Sequence, residues 1–397
     1  MIDVKKDFGI LKDDLIYLDS SSTSLKPNVV VDEICSFYSS CQMNAERGIS
    51  NNTISIAKKI QETRKLVKDF ICADNEDEIT FTSGATESSN MIALSYGLKH
   101  LKNGDEILLC KGDHKSTVLP WLNVVEILKV FGINIVIKEI LIDVEGDYKE
   151  QDLIGKVNDN TKVIVLTHIH NMYGLEMDIQ KLIPQIREKN NNAIIVLDAS
   201  QSVGHINVDV QKLNPEFLYF SGHKMFAGMG VGVLYTKREL LKEMQPFKIG
   251  GGFKNENLEI KKGSDFESGT QNIAEILSLK KAIEYINSIG MQNIEYHIYE
   301  ITRYLFDKLN LIKNIEFNKG VAMCKCALGY GIISFKINGI SSSELGEILR
   351  DYNVVVRTGN FCNTSEKDDF VRVSLHVYNT KEDIDKFVKI LNHILES

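Results

Sequence analysis

A lysine with the sequence context of a catalytic amine lies in the middle of the chain. Ser221-Gly222-His223-Lys224 follows the apolar run Phe217–Phe220, which is typical of a buried strand. A lysine after a strand and a small turn can lose its proton in a partly buried site, and only the neutral amine forms a Schiff base. Ser221 and His223 could reach a bound phosphate, although a lone lysine at such a position would normally lie on the surface.

An acid follows a second apolar run. Asp198 comes directly after Ala193–Leu197, and a carboxylate at the end of a buried strand costs free energy unless it meets a cation. The pyridinium nitrogen of pyridoxal 5′-phosphate (PLP) is such a cation, and an acid that holds its proton lets the ring accept electrons. Capping of the next turn is the alternative role for Asp198.

A small glycine-containing turn follows a third predicted strand, Ile79–Thr82. The segment 82–90 (Thr-Ser-Gly-Ala-Thr-Glu-Ser-Ser-Asn) opens a predicted helix, where free backbone N–H groups and the helix dipole suit a phosphate. Ala85 and Thr86 would supply N–H groups, and Thr86 also a hydroxyl. A simple helix cap is the alternative.

Two histidines and an asparagine follow a fourth predicted strand, in the segment 167–171 (Thr-His-Ile-His-Asn). Asn171 can donate a hydrogen bond to the phenolate O3′ of PLP. His168 and His170 could instead begin a metal site, but no third ligand stands at matching spacing, so we predict no metal.

These motifs require a sheet that brings strand ends together. Short β-rich runs alternate with helical patterns from about residue 79 to 235, which predicts a doubly wound, mainly parallel α/β sheet. Ligands bind such sheets at the carboxyl ends of the strands. The predicted strands are Ile79–Thr82, Glu106–Cys110, Asn134–Glu139, Lys162–Thr167, Ala193–Asp198, Phe217–Phe220 and Gly232–Tyr235. The predicted helices of this part are Glu87–Leu101, Thr117–Phe131 and Ile179–Glu188, preceded by one near Pro27–Gln42.

The pattern changes after the glycine run at 250–252. A long helical region is predicted over Ile273–Leu311, followed by strands and helices in the order of a small α+β domain. The predicted strands there are Gly331–Ile337, Val354–Arg357 and Val371–Leu375, and the helices are Ser342–Arg350 and Lys381–Leu395. We therefore predict a large domain over residues 15–260 and a small domain formed by residues 1–14 and 261–397.

Composition narrows the class of protein. The net charge of −8 argues against binding to nucleic acid, because no basic surplus exists to neutralise phosphates. The chain has no apolar run long enough to span a bilayer and no signal-peptide pattern at its start, so we expect a cytoplasmic protein without membrane contact. Its seven cysteines lack framework spacing and are expected to be thiols.

Taken in order, the motifs resemble those of fold-type I PLP enzymes of aminotransferase class V, most of all the group II cysteine desulfurases and selenocysteine lyases. The resemblance covers nearly the whole chain. The matching segments are 44–48, 82–90, 113–115, 120–121, Asn171, 198–201, 221–224, 266–270, 357–359, Arg372 and 378–380.

The resemblance implies roles for further residues. His114 would stack on the pyridine ring, and Gln201 would hydrogen-bond O3′ beside Asn171. Thr270 would reach the phosphate in the neighbouring subunit, which implies a homodimer with shared sites. Arg372 would clamp the α-carboxylate of the substrate with two parallel hydrogen bonds.

The resemblance also places a nucleophilic cysteine soon after an Arg-x-Gly turn, and Cys362 follows Arg357-Thr358-Gly359-Asn360-Phe361. The implied function is conversion of L-cysteine to L-alanine, with sulfur carried as a persulfide on Cys362 and passed to an acceptor protein, for example in iron–sulfur cluster assembly. The family commonly has histidine where this chain has Phe361, and an ordinary loop thiol is the alternative for Cys362. Another class V activity on a different amino acid (an aminotransferase, lyase or epimerase), a non-catalytic protein that kept the fold, and a metal hydrolase using His168 and His170 also remain open.

Overall fold

The computed structural model describes residues 2–12, 14–40, 50–142, 148–251, 253, 257–317, 330–359, 361 and 369–396. Its strands are β1 (Ile16–Tyr17), β2 (Ile79–Thr82), β3 (Glu106–Leu109), β4 (Val136–Glu139), β5 (Thr161–Thr167), β6 (Ile194–Asp198), β7 (Phe217–Ser221), β8 (Gly232–Thr236), β9 (Ile315–Phe317), β10 (Ile332–Ile337), β11 (Val354–Val355), β12 (Arg357–Thr358) and β13 (Val371–Ser374). Its principal helices are α1 (Asn28–Ser40), α2 (Asn51–Phe70), α3 (Ala85–Ile92), α4 (Lys115–Val130), α5 (Glu150–Lys156), α6 (Ile179–Lys189), α7 (Val210–Leu213), α8 (Arg238–Leu241), α9 (Ile273–Ile289), α10 (Met291–Leu309), α11 (Ser342–Asp351) and α12 (Lys381–Glu396).

A large sheet organises the first two thirds of the described chain. Its strand order is β2-β8-β7-β6-β5-β3-β4, and only β8 runs antiparallel to its neighbours there. Strands β6 and β7 are buried along their whole length because helices cover both faces of the sheet. A smaller antiparallel sheet has the order β12-β13-β10-β9. The predicted fold class, a large doubly wound sheet with a small α+β part, is confirmed.

The domain boundary near residue 260 stays a prediction. Helix α9 packs against α1 and α2, and its buried side chains share a core with those of the large sheet. A second core lies between α10, α12 and the small sheet. Among the described residues, no helix is both long and apolar enough to cross a membrane.

Two helical regions differ from the sequence prediction. The predicted helix over Ile273–Leu311 is two helices, because Gly290 adopts φ +88° and ends α9 there. The predicted helix Glu87–Leu101 begins earlier, at Ala85, and passes through a π-helical segment, Ala93–Gly97.

Helix α2 was not predicted from the sequence. Its buried stripe repeats at helical spacing but mixes apolar with polar side chains, so its hydrophobic pattern is weak. The stripe consists of Thr53, Ile56, Ile60, Thr63, Arg64 and Val67. Ser50 is the N-cap of the helix, since its side chain accepts a hydrogen bond from the backbone N–H of Thr53.

Arg64 on α2 forms a buried bidentate ion pair with Glu267. The Nη1–Oε1 and Nη2–Oε2 distances are 2.8 and 2.7 Å, and the two side chains are only 4% and 7% exposed. Glu267 Oε1 also accepts from the Phe81 N–H at 2.7 Å. We expect Arg64→Ala to lower the free energy of unfolding by about 3–5 kcal/mol, because it leaves a buried carboxylate without its cation. Urea titration followed by circular dichroism would measure the loss.

Arg238→Ala is the matched control. Arg238 is 64% exposed and lies 3.8 Å from Asp77, so its loss should cost less than about 1 kcal/mol. Equal losses for the two variants would show that burial does not strengthen the Arg64–Glu267 pair.

Candidate active site

A cavity of about 280 Å³ opens where the carboxyl ends of β2, β5, β6 and β7 meet at one edge of the large sheet. Ten of the predicted site residues line it: Ala85, Thr86, His114, Asn171, Asp198, Gln201, Ser221, His223, Lys224 and Arg372. Residues far apart in the chain therefore come together as the strand-end argument requires.

The glycine-containing turn after β2 lies against the end of β7. The Ala85 N–H donates to Ser221 Oγ at 2.8 Å, and Gly84 adopts φ +155°. A Cβ on Gly232 would come within 2.5 Å of the Gly84 Cα, so this close approach of β8 requires a glycine. Helix α3 begins at Ala85 and presents its N-terminus to the cavity, which suits a phosphate.

Asp198 ends β6 with a buried side chain. Its Oδ2 accepts from the Thr117 hydroxyl at 2.6 Å, and its Oδ1 accepts from the Ser200 N–H at 2.9 Å. Tyr219 donates in turn to Thr117 at 3.3 Å. This network holds the carboxylate in one orientation at the floor of the cavity.

His114 is the N-cap of α4. Its Nδ1 accepts from the Ser116 N–H at 3.2 Å and lies 2.6 Å from the Ser116 hydroxyl. Burial, assisted by the positive charge of Lys224, lowers the pKa of His114 to about 4. The imidazole is therefore neutral at pH 7, and with Nδ1 accepting, its proton lies on Nε2.

Two arginines share one buried carboxylate at the opposite end of the cavity. Arg372 on β13 donates from Nη1 to the Asn171 carbonyl at 2.8 Å and from Nη2 to Asp19 Oδ1 at 3.0 Å. Arg357 lies 3.4 Å from Asp19 Oδ2 and also hydrogen-bonds Ser22. Two guanidinium groups and one carboxylate leave a net charge of +1, which suits one substrate carboxylate.

Asp19 and its neighbours were not predicted to belong to the site. Ser21 and Ser22 line the cavity, and Gln201 donates from Nε2 to the Ser21 carbonyl at 2.9 Å. The available signal was the run of small polar residues at 19–24, directly after an apolar stretch. Such a run is unusual for a surface turn and typical of a loop that approaches a polar ligand.

The remaining predicted residues have different outcomes. Phe361 lines the cavity, its carbonyl accepts from Asn171 Nδ2 at 3.1 Å, and its ring lies 5.1 Å from the Arg372 guanidinium. Cys362, the residue after it, lies outside the described residues, as does the segment 44–48. Thr270 is exposed and is not among the residues that line the cavity.

The two candidate metal ligands have separate surroundings. Both are buried, but His168 Nε2 lies 3.4 Å from Glu176, whereas His170 stacks on Tyr173 and contacts the Gly112 carbonyl at 3.2 Å. Within the described part of the chain, no three His, Cys, Asp or Glu side chains group as metal ligands would.

The cavity residues fit PLP. Gln201 Oε1 and Ser200 Oγ are buried at the cavity without a partner among the described residues, which favours a polar ligand there. The helix N-terminus and Ser221 suit its phosphate, Asp198 its ring nitrogen, and Lys224 its aldehyde. These residues thus suit the phosphate, the ring nitrogen and the aldehyde of the cofactor.

Comparisons with known proteins agree with this chemistry. The family model described as Aminotransferase class-V matches residues 16–387. A probable cysteine desulfurase of Ureaplasma parvum serovar 3 is 35% identical, with 98% of this chain and 97% of that protein aligned. A cysteine desulfurase of Wigglesworthia glossinidia brevipalpis is 31% identical, with 98% and 96% aligned. The apo structure of a cysteine desulfurase from Thermococcus onnurineus NA1 superposes with a TM-score of 0.90 at 30% identity, covering 99% of this chain and 97% of that one.

Proposed function

Because this chain belongs to the aminotransferase class V family, we propose that it is a PLP-dependent cysteine desulfurase that converts L-cysteine to L-alanine. The observation that carries the proposal is one cavity that joins Lys224, Asp198 and Arg372 with Phe361, the residue before Cys362.

PLP would be held by the residues that meet its polar groups. Ala85, Thr86, Ser221 and His223 would bind the phosphate, and Lys224 would bind the aldehyde carbon covalently. When bound, PLP supplies an electron sink that stabilises negative charge at the substrate Cα. Asp198 would hold the proton on the ring nitrogen, and Asn171 and Gln201 would face O3′.

The chain's own groups would then handle substrate and protons. Arg372 would bind the α-carboxylate, and Lys224 Nζ would take the Cα proton. His114 Nε2–H would donate a hydrogen bond into the cavity. The Cys362 thiolate would attack the substrate Sγ, so that an S–S bond forms as the Cβ–Sγ bond breaks. The electron pair of the broken bond would remain on Cβ, which would take up a proton, and Lys224 Nζ would return a proton to Cα. L-Cysteine and the Cys362 thiol would thus become L-alanine and a persulfide on Cys362.

The wider context of the enzyme is part of the same proposal. We propose a cytoplasmic homodimer in which Thr270 reaches the partner's phosphate site, and its exposure outside its own cavity supports this. A persulfide must be passed on, so an acceptor protein is expected, with iron–sulfur cluster assembly as the candidate pathway. The division into a large domain (15–260) and a small one (1–14 and 261–397) belongs to this proposal too.

The function is tested by the fate of L-cysteine. With a thiol reductant present, the PLP-loaded enzyme should form L-alanine and sulfide in equal amounts. After incubation with L-cysteine without the reductant, mass spectrometry should find added sulfur on Cys362. Cys362→Ser should lower sulfide release at least about tenfold, because a hydroxyl cannot accept the sulfur. Cys35→Ser, which removes an exposed thiol on α1, is the matched control and should behave like the wild type.

Different products from the substrate would identify a different activity. Pyruvate and ammonia from L-cysteine would identify a lyase, and 2-oxo acids from a panel of amino acids would identify an aminotransferase. Normal alanine and sulfide release by Cys362→Ser would exclude this thiol as the sulfur acceptor.

A further inference from the structure

The carbonyl oxygen of His223 accepts hydrogen bonds from an unusual number of donors. The Ser24 N–H lies at 3.0 Å, the Ser24 and Thr23 hydroxyls each at 3.1 Å, and Lys26 Nζ at 3.0 Å. One carbonyl oxygen has two lone pairs, so these donors crowd a single acceptor. The segment 23–26 is therefore built around this one peptide group.

The side chain of Lys26 is held by oxygen atoms. Besides the His223 carbonyl, its Nζ donates to Ser24 O at 2.5 Å and to Thr23 Oγ1 at 3.0 Å. No ion pair within 4 Å joins Lys26 to a carboxylate among the described residues, and burial lowers its pKa to about 8 although the charge of Glu275 acts in the opposite direction. A half-buried ammonium without an ion-pair partner costs free energy, which points to a role beyond surface solvation.

The crowded peptide group leads directly into Lys224. A peptide unit is planar, so the oxygen of residue 223 and the N and Cα atoms of residue 224 lie in one plane. Fixing the His223 oxygen therefore helps to fix the N–Cα bond of Lys224, from which its side chain extends. The turn that carries it, Gly222–Lys224, is only three residues long, and Met225 N–H bonds to Gly222 O at 2.9 Å.

A second contact ties the same segment to the other side of the turn. Ser24 Oγ accepts from the Phe226 N–H at 2.7 Å while it donates to the His223 carbonyl. Ser24 thus hydrogen-bonds the backbone on both sides of Lys224, at residues 223 and 226, although it lies about two hundred positions earlier in the chain. The pKa of the His223 imidazole is lowered to about 4, mainly by burial and further by the positive charges of Lys224 and Lys26. Both amines therefore act on His223 electrostatically.

We propose that Lys26 is a positioning residue for Lys224: it anchors the His223–Lys224 peptide so that Lys224 Nζ meets the cofactor aldehyde in the reactive orientation. This proposal rests on the PLP chemistry of the proposed function but not on the identity of the substrate. It concerns how the chain captures and orients its cofactor.

The test compares Lys26→Met, Ser24→Ala and a control, Lys138→Met. Lys138 is a partly buried lysine on β4, an edge strand, and pairs with Glu106 on β3 at 2.8 Å. Its loss therefore removes a similar side chain away from the cavity. Apoenzyme of each variant is mixed with PLP, and the rate of covalent capture is followed by visible absorbance. Visible circular dichroism of the bound cofactor then reports the orientation of its ring.

We expect Lys26→Met to slow capture by about tenfold or more, because a hydrogen bond from a charged donor is lost, and to weaken the visible dichroism. Ser24→Ala should shift both readouts in the same direction by a smaller factor, while Lys138→Met should match the wild type. Capture and dichroism unchanged in Lys26→Met would overturn the proposal, as would equal changes in Lys138→Met. If Lys26→Met does not fold, wild-type readouts in Ser24→Ala overturn it. Formation of alanine from L-cysteine by the wild type tests the proposed function separately, and its result does not depend on these variants.

Discussion

Replacing Lys224 with alanine is expected to abolish covalent capture of PLP and to lower kcat by about 10²–10⁴-fold, the range that a positioned proton carrier supplies. Borohydride treatment of the wild type should fix PLP to Lys224, and mass spectrometry of the variant should find no such adduct. Both losses follow from one atom, Nζ, because it is proposed to bind the cofactor and to move the Cα proton.

The surroundings of Lys224 explain why another lysine should not replace it. Its turn ends β7 inside the cavity, and the backbone before it is held by the donors around the His223 carbonyl. Lys115, by contrast, is exposed at the start of α4, next to His114. Lys115 does not line the cavity, so replacing it tests whether any nearby amine could bind the cofactor and carry the proton.

Lys115→Ala is therefore the control, and it should keep the wild-type kcat and the borohydride adduct. Added methylamine should partly restore proton transfer in Lys224→Ala, since a free amine can occupy the space of the lost side chain. If Lys224→Ala kept kcat within about tenfold of the wild type, the assignment of Lys224 as proton carrier would be wrong.

The strands of the large sheet could be predicted from the sequence because their signal is local. Runs such as Ile194–Leu197 are apolar on both faces, and each observed strand of this sheet lies within one or two residues of its prediction. Helix α2 escaped prediction because its buried face includes Arg64, whose partner Glu267 lies 203 positions further along the chain. A polar residue is read as exposed until such a tertiary partner is known.

The site residues also divide into those with a local sequence signal and those whose role depends on a distant partner. Asp198, Lys224 and the turn at Ala85 could be predicted because each follows a recognisable strand, and strand ends of a parallel sheet meet. The Asp19–Arg372 contact joins residues 353 positions apart and depends on how the small sheet packs against the large one. No local pattern contains that information, so the role of Asp19 required the structure. Cys362 stays a prediction, because it lies outside the described residues.

The shared carboxylate makes Arg372 the second site of large expected effect. Its side chain is 4% exposed, and Asn171 O and Asp19 orient its guanidinium while Arg357 contributes a second positive charge. We expect Arg372→Ala to lower kcat/KM for L-cysteine by about 10²–10³-fold, the cost of removing one partner of a buried charged pair. Most of the loss should appear in KM, because the α-carboxylate is bound in the ground state and in the transition state alike.

Two further variants separate charge from geometry. Arg372→Lys keeps the positive charge but loses the planar pair of donors, so it should recover only part of the loss. Arg187→Ala removes another arginine paired with a carboxylate, Glu216, at 2.5 Å, but far from the cavity lining. It should lower thermal stability and leave KM near the wild-type value. Steady-state alanine formation across a range of L-cysteine concentrations measures all three variants. If Arg372→Ala kept the wild-type KM, Arg357 would be the group that binds the carboxylate, and Asp19 would hold Arg372 in a structural role instead.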